Sequence, residues 1–518
     1  MLKMLDKLPA FAKIQDQIAC GNLHGAALPM AIAELIQRQV GLYLLVVPDT
    51  PTALRLEQEL SVFFSEDMSL LSFPDWETLP YDHFSPHQDI ISQRLRTLYQ
   101  LPSLTKGLVI VPVSTMLLKI ATPAHLQQQS LLLNKGQRLD LTSLRVQLVQ
   151  AGYRLVEQVM EHGEFSVRGS LLDLYPMGSS LPYRVDFFDD EIDGLRTFDP
   201  ENQRTLTQVD RIELLPAHEF PLDKAAIERF RTRYRERFPA RNEKESLYQQ
   251  VSQGVLPAGI EYYLPLFAES TGCLLDYFAK SSMILSFGDI EFAASRFWQD
   301  VEKRYTDRAI DLLRPILKPQ ELYLAVDELF AGLKQFSRLR LSRAELPEKS
   351  GQSNFAAEAL PDLSVNHQHK DPIEQLKQFL VGLKSRKGRA VFMVESEGRR
   401  ESLLNLLQKS AIRLPQTESF TDFITGNDDT AVSIGALEQG VLLAGKHPLA
   451  IISENELFGL KISQRRRRKH SQQISNDTII RNLAELSVGQ PIVHLQHGVG
   501  RYQGLQVLEA AGISAEFV

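Results

Sequence analysis

Between Gly163 and Pro200 apolar and polar side chains alternate with the period of a β-strand. In the run Phe165–Tyr175, Phe165 and Val167 fall on one face and Ser166, Arg168 and Ser170 on the other. In Tyr183–Phe188, Tyr183, Val185 and Phe187 share a face opposite Arg184, Asp186 and Phe188. The connection, Pro176 to Pro182, is rich in Pro, Gly and Ser, so the pattern predicts two antiparallel strands with one wet face. That face carries Arg168, Arg184 and Phe188. A large aromatic among guanidiniums has the composition of an interface core. The pattern alone also allows Phe188 to turn inward at a bulge, to lie under another segment, or to be an ordinary exposed apolar residue.

The same reading along the chain predicts a short helix over Phe11–Cys20, a Gly-containing loop over Gly21–Ala27 and a helix through Ala31–Arg38. A buried strand follows at Tyr43–Val47, then a helix at Thr52–Phe64 and a strand at Leu70–Phe73. After the Pro- and aromatic-rich loop FPDWETLPYDHFSPH come a helix, Ile90–Leu101, and a second buried strand, Leu108–Val113. This order is α/β, with a parallel sheet covered on both faces. A new unit starts at Leu126, contains the alternating stretch and ends near Pro216. Helix and strand patterns then resume, with an Arg-rich helix at Ala225–Phe238 that reads as a solvated face, strand and loop over Cys273–Phe287, and helix over Glu291–Leu317. Residues 126–215 therefore read as an insertion splitting one domain into 1–125 and 216–350. Leu341–Asn366 reads as a linker. Residues 351–460 form a second, small α/β domain, with helices at Ile373–Lys384 and Arg399–Ser410 and strands at Arg389–Val394, Ala431–Ile434, Val441–Leu443 and Leu449–Ser453. Residues 461–487 are a basic linker and helix. Residues 488–518, with β-rich runs around Gly498 and Gly500, read as the start of a small β-barrel that is cut short at SAEFV, as in an N-terminal fragment.

The chain's 518 residues imply several domains, since single cores stop growing near ~250–300 residues. A net charge of −7 excludes a chain that is basic overall, so any nucleic-acid contact must be local. The candidate is Arg465, Arg466, Arg467 and Arg468 in KISQRRRRKH, either a phosphate or DNA contact or a solvated tether. Cys20 and Cys273 are too far apart in sequence for a disulfide framework or zinc spacing, which fits a reducing cytosol. His494 and His497 lack a nearby third ligand, so no metal is expected. There is no signal peptide pattern and no run of about 18 apolar residues, so the expected location is cytoplasmic, with no membrane contact.

A loop before a helix in an α/β domain is where a nucleotide's phosphates would sit. A P-loop needs G-x-x-x-x-G-K-[ST], whose Lys reaches the terminal phosphates and whose hydroxyl holds magnesium. Gly21 and Gly25 are present, but the Lys and the hydroxyl are not. The strand that should end in paired carboxylates, MILSFGDI, offers only Asp289. These two losses predict a motor fold without its chemistry: no cofactor, no catalytic residue, and no enzyme in this chain.

Three stretches, LSFPDWETLPYDHFSPH, Gly163–Pro200 and NDTIIRNLAELSVGQPIVHLQHGVGRYQGL, resemble the N-terminal part of bacterial transcription-repair coupling factors, and the likeness covers essentially the whole chain. It implies a degenerate UvrB/RecA-like parallel-sheet domain over residues 1–350, interrupted by an inserted α+β UvrA-binding domain. A small α/β domain of uncertain role and the start of an RNA-polymerase-interacting barrel follow. It places UvrA contacts at Arg168, Arg184 and Phe188, and the degenerate nucleotide site at Gly21, Gly25 and Asp289, where UvrB has its P-loop and Asp-Glu box. UvrB inserts a damage-probing hairpin after the stretch matching Tyr81–Pro86, whereas here His87 runs straight into the helix from Ile90. In the full-length family an ATP- and Mg-dependent motor beyond residue 518 translocates on double-stranded DNA and displaces stalled RNA polymerase. A far C-terminal domain masks the UvrA surface at rest, so this chain is expected to bind UvrA constitutively, with weak or absent polymerase contact. The alternatives are a DNA tether acting through Arg465–Arg468, with steep salt dependence, or a nucleotide hydrolase with a non-standard loop.

Overall fold

A computed structural model describes residues 16–459, apart from 40, 65–67, 239–246, 312–313, 367–370, 409 and 411, and beyond them the backbone of 491–494, 498–501, 506–510 and 513–517. The frame is a seven-stranded, all-parallel sheet. Its spatial order is Gln352–Asn354, Gln17–Gly21, Ser337–Leu341, Met283–Phe287, Leu42–Val47, Gly107–Pro112 and Leu70–Ser72. Leu42–Val47 and Gly107–Pro112 are buried at every position, as strands covered on both faces must be, which is why they are continuous apolar runs. Asp49 starts the helix Thr50–Ser61 by accepting the Thr52 N–H at 2.8 Å.

Several local expectations are corrected. Residues 17–21 form a strand, not the end of a helix, because they pair on both sides with residues more than 300 positions away. The following helix starts at Ala27 rather than Ala31. The helix from Ile290 ends at Arg308, short of the expected Leu317. Residues 341–366 are not a free linker: Gln352–Asn354 joins the edge of the first sheet, and Ala357–Glu358 pairs with Val441–Leu443.

The chain leaves the frame after Gly107–Pro112 and returns at Met283–Phe287. Within that excursion, Leu131–Asn134 and Arg211–Leu214 pair as an antiparallel ribbon at the base of a six-stranded sheet. The sheet order is Thr205–Gln208, Glu191–Phe198, Tyr183–Phe188, Leu171–Leu174, Glu164–Arg168 and Arg154–Leu155. The expected single run Phe165–Tyr175 is a hairpin of two strands, turned at Gly169, whose φ of 62° suits glycine. The inner face, with Phe165, Leu172, Leu174, Val185 and Leu195, shares one core with Leu95 and Leu98 of the helix Gln88–Gln100. The insertion is therefore welded to the frame.

The second α/β domain is a five-stranded sheet, in the order Ala357–Glu358, Val441–Leu443, Leu449–Ser453, Arg389–Val394 and Thr430–Ile434. One face packs under the helices Glu374–Ser385 and Glu397–Gln408. From the other face Val391, Met393, Val441 and Ile451 share a core with Leu28, Ile32 and Leu60 of the frame. The residues up to Leu460 form one compact unit. In the second unit, Lys461–Val518, the backbone forms two hairpins, Pro491–His494 with Gly498–Arg501 and Gln506–Ala510 with Ile513–Phe517. Arg465–Arg468 lie outside the described residues. Among the described residues no helix is long and apolar enough to cross a membrane, and no group of three or more metal-ligating side chains is gathered.

Candidate partner-binding face and vacated nucleotide site

The alternation places Arg168, Arg184 and Phe188 on the sheet's outer face, but the structure divides that face in two. One half lies under the segment Val156–Met160. Val159 is buried there against Tyr175 and Phe198. Ser166 Oγ donates to the Glu157 carbonyl at 3.0 Å, and Arg168 donates to the same carbonyl. Arg184 belongs to this covered half. Its Nε and a terminal NH2 donate to the two carboxylate oxygens of Asp173 at 2.8 and 2.9 Å, and its guanidinium lies 5.0 Å from the Phe198 ring centroid. The hydrogen bond to Asp173 holds the Arg184 pKa above its ordinary value. Arg184 is thus an internal brace, with part of its side chain at the surface, rather than a freely wet guanidinium.

The other half is open. Phe188 is 75% exposed, at the end of the strand Tyr183–Phe188. Asp189 and Asp190 form a two-residue turn to Glu191, and Asp189 takes a φ of 55°, a conformation short Asx side chains tolerate. There is a bulge, but it does not turn Phe188 inward. The extra residue lies in the partner strand: Asp186 faces Gly194 and Phe187 faces Ile192, so Asp193 is the one skipped. Phe188 is rimmed by exposed Asp189, Asp190 and Glu191, while Asp186 pairs with Arg196. A Cβ at position 194 would stand 3.1 Å from Asp186 Oδ2, so Gly194 leaves room for that pair.

At the frame's strand–loop–helix junction, Gln17–Gly21 leads through Asn22–Ala26 to the helix Ala27–Arg38. This is the place for a phosphate at a helix N-terminus. It is filled by protein. A Cβ on Gly25, whose φ is 45°, would lie 2.1 Å from the Gly440 carbonyl oxygen and 2.9 Å from that of Gln439. Asn22 Nδ2 donates to the Phe355 and Ala357 carbonyls, each at 2.8 Å. Pro29, the third helical residue, has no N–H to offer an anion. Every residue from Ala27 to Ile36 is buried. Asp289 is occupied as well: it accepts the Phe292 N–H at 3.0 Å and caps the helix Ile290–Arg308. One strand, Ser337–Leu341, lies between the strand before Asp289 and the strand ending at Gly21, so the two carriers of the expected site stand about 10 Å apart by strand spacing.

Two further features escaped sequence reasoning. The Arg-rich helix, Lys224–Arg237, is not simply solvated. Arg233 donates to the Pro265 and Ala268 carbonyls at 2.6 and 2.5 Å, and Arg231 to Ser252 at 2.6 Å. Arg94, fully buried, grips Glu219 at 2.5 and 3.2 Å, and Trp76 Nε1 donates to the same carboxylate at 3.0 Å. This pair ties the aromatic loop to the end of the insertion; its partners are 125 residues apart, beyond the reach of any local pattern. As expected, no hairpin intervenes after Tyr81–Pro86: His87 caps the helix Gln88–Gln100.

Comparison with known proteins gives these elements a context. The UvrB interaction domain family matches residues 131–220, the span of the inserted sheet and its base ribbon. The family described as MFD, D3 domain matches residues 383–457, and the CarD-like/TRCF RID domain matches 486–518. The transcription-repair-coupling factor of Escherichia coli K12 is 49% identical over 98% of this chain and 43% of its own length. That of Haemophilus influenzae is 45% identical over 97% of the chain and 43% of its length, and that of Bacillus subtilis 24% identical over 98% and 43%. The chain spans about two-fifths of the length of these relatives. Over nearly all of its own length, then, the chain is similar to part of the transcription-repair-coupling factors.

Proposed function

We propose that this chain is the recruitment module of a transcription-repair-coupling factor and that it captures UvrA through the open half of the inserted sheet. The observation that carries this reading is Phe188, a large aromatic held 75% exposed by a tight turn, beside a face whose other large groups are satisfied internally. Such a residue gives a partner an anchor of low entropy cost, and the acidic turn beside it, Asp189–Glu191, gives orientation through charge. The RID-like residues 486–518 would contact RNA polymerase, and translocation on double-stranded DNA would belong to a motor outside this chain that uses ATP and Mg. The chain itself acts without hydrolysing nucleotide, in keeping with the filled loop at Gly25 and the capping role of Asp289. The test is the affinity of the chain for UvrA. Phe188→Ala should weaken it by about 2 kcal/mol, roughly thirtyfold, while Phe188→Leu keeps most of it. Equal affinity of wild type and Phe188→Ala would remove Phe188 from the interface and the reading with it.

A further inference from the structure

The second α/β domain has no role in the reading above. Its loop Leu437–Gly440 is the element that fills the phosphate position at Gly25. It is held there by a charged clasp. The Glu438 N–H donates to Glu59 Oε1 at 3.1 Å, Arg55 Nε meets Glu438 Oε2 at 3.1 Å, and Arg55 bonds Glu59 Oε2 at 3.0 Å. Glu59 is nearly fully buried, and burial, the largest influence on it, raises its carboxyl pKa. Apolar seats flank the clasp: Leu437 is buried, Phe420 meets Phe63 edge-on at 4.9 Å, and Gly435 lies so close to Val62 that a Cβ there would come within 3.0 Å. From the other side the Gly440 N–H donates to Glu456 at 2.9 Å and Ser453 Oγ donates to the Leu437 carbonyl at 2.6 Å, so the loop arrives preshaped by its own domain.

We infer that the 351–460 domain serves as a built-in ligand for the vacated nucleotide site: loop Leu437–Gly440 takes the place of the phosphates and fixes the frame in a single state that nucleotide does not change. In a nucleotide-driven α/β domain the strand–loop–helix junction changes state as phosphates come and go. Here a carbonyl-lined loop of the same chain sits against Gly25 permanently, and the first-turn Pro29 withdraws a donor that an anion would need. The frame that carries the inserted sheet is thereby locked. This inference stands on the junction's geometry and does not depend on what the inserted sheet binds.

Hydrogen exchange of the whole chain tests it, with and without millimolar MgATP, in wild type, Leu437→Asp and Glu438→Ala. In wild type, amides of His24–Met30 and Gly435–Leu443 should exchange slowly and be unmoved by MgATP. Leu437→Asp should speed exchange in both segments together by tenfold or more, while Tyr183–Phe198 of the inserted sheet, the folding control, stays as in wild type. If Leu437→Asp also loosens Tyr183–Phe198, Glu438→Ala decides, with a joint two- to tenfold acceleration expected in the first two segments alone. MgATP-dependent protection of His24–Met30 in wild type would overturn the inference. So would exchange of His24–Met30 that stays at the wild-type rate in every variant that keeps its fold.

Discussion

Asp173 is buried beneath Val156–Met160, and Arg184 is the cation that bonds both of its oxygens. Replacing Arg184 by Ala strands that carboxylate in a poorly solvated place. Breaking a buried pair from one side costs about 3 kcal/mol or more, and the part-exposed guanidinium lowers that to about 2. Arg184→Ala should therefore lower the midpoint of chemical unfolding measurably, and any loss of UvrA binding in it mixes a contact effect with a folding effect. Phe188→Ala, at a site 75% exposed, should leave stability within about 0.5 kcal/mol of wild type. A double-variant comparison in urea checks both. The alternation was sufficient to aim Phe188 outward, because side-chain parity is a local property of a strand. It could not separate a roofed half of the face from an open one. The roof, Val156–Met160, precedes the strands it covers and has no periodicity that marks it as a lid. Pro29 was legible but unread: a proline in the first turn after a Gly loop already argues against a phosphate cradle.

At the level of elements, Leu42–Val47, Gly107–Pro112 and Arg389–Val394 were legible as apolar runs buried on both faces, whose composition leaves little choice, whereas Tyr183–Phe188 was legible from its alternation. Gln17–Gly21 was misread because five residues carry too little pattern, and its partners, Ser337–Leu341 and Gln352–Asn354, supply the order that the local sequence lacks. The insertion was expected from a break in the α/β rhythm on both sides of it, and the inserted sheet and its base ribbon lie within residues 131–214. The Arg-rich helix was legible as a helix and not as a brace. Arg233 satisfies carbonyls at the end of the short helix Leu264–Phe267, which would otherwise lack partners. Arg233→Met should destabilise the unit by about 1–2 kcal/mol in denaturant unfolding, whereas Arg235→Met, whose side chain is exposed and donates to the Arg231 carbonyl of its own helix, should stay within about 0.5. Equal effects from the two would return the helix to the solvated-face reading.

Across the whole molecule, buried Glu261 and half-buried His218 set opposing pH responses. Burial pushes the Glu261 carboxyl from its ordinary 4.5 up to about 7, with Ser85 Oγ donating to it at 2.9 Å. The folded state then holds a proton that the unfolded chain has lost, so Glu261 costs stability progressively as pH rises from about 4.5 to about 7. Burial lowers His218 from 6.5 to about 4, so its contribution is present above pH 6.5 and is lost as pH falls toward 4. Between pH 4.5 and 6.5 the two slopes oppose each other. Glu261→Gln removes one of them. The difference in unfolding free energy, variant minus wild type, should grow with pH through that window and level off above about 7; a difference independent of pH would mean that Glu261 is not held neutral.

The fold as a whole is a frame whose nucleotide junction is filled by its own second domain and whose inserted sheet presents one exposed aromatic. The most direct measurement is a hydrogen-exchange footprint of UvrA on this chain. Slowed exchange should be confined to the open half of the inserted sheet, Gly169–Leu171 and Asp186–Arg196, and should disappear with Phe188→Ala. Slowed exchange located on the frame or on the 351–460 domain, with the inserted sheet unchanged, would contradict the assignment of recruitment to Phe188 and its face.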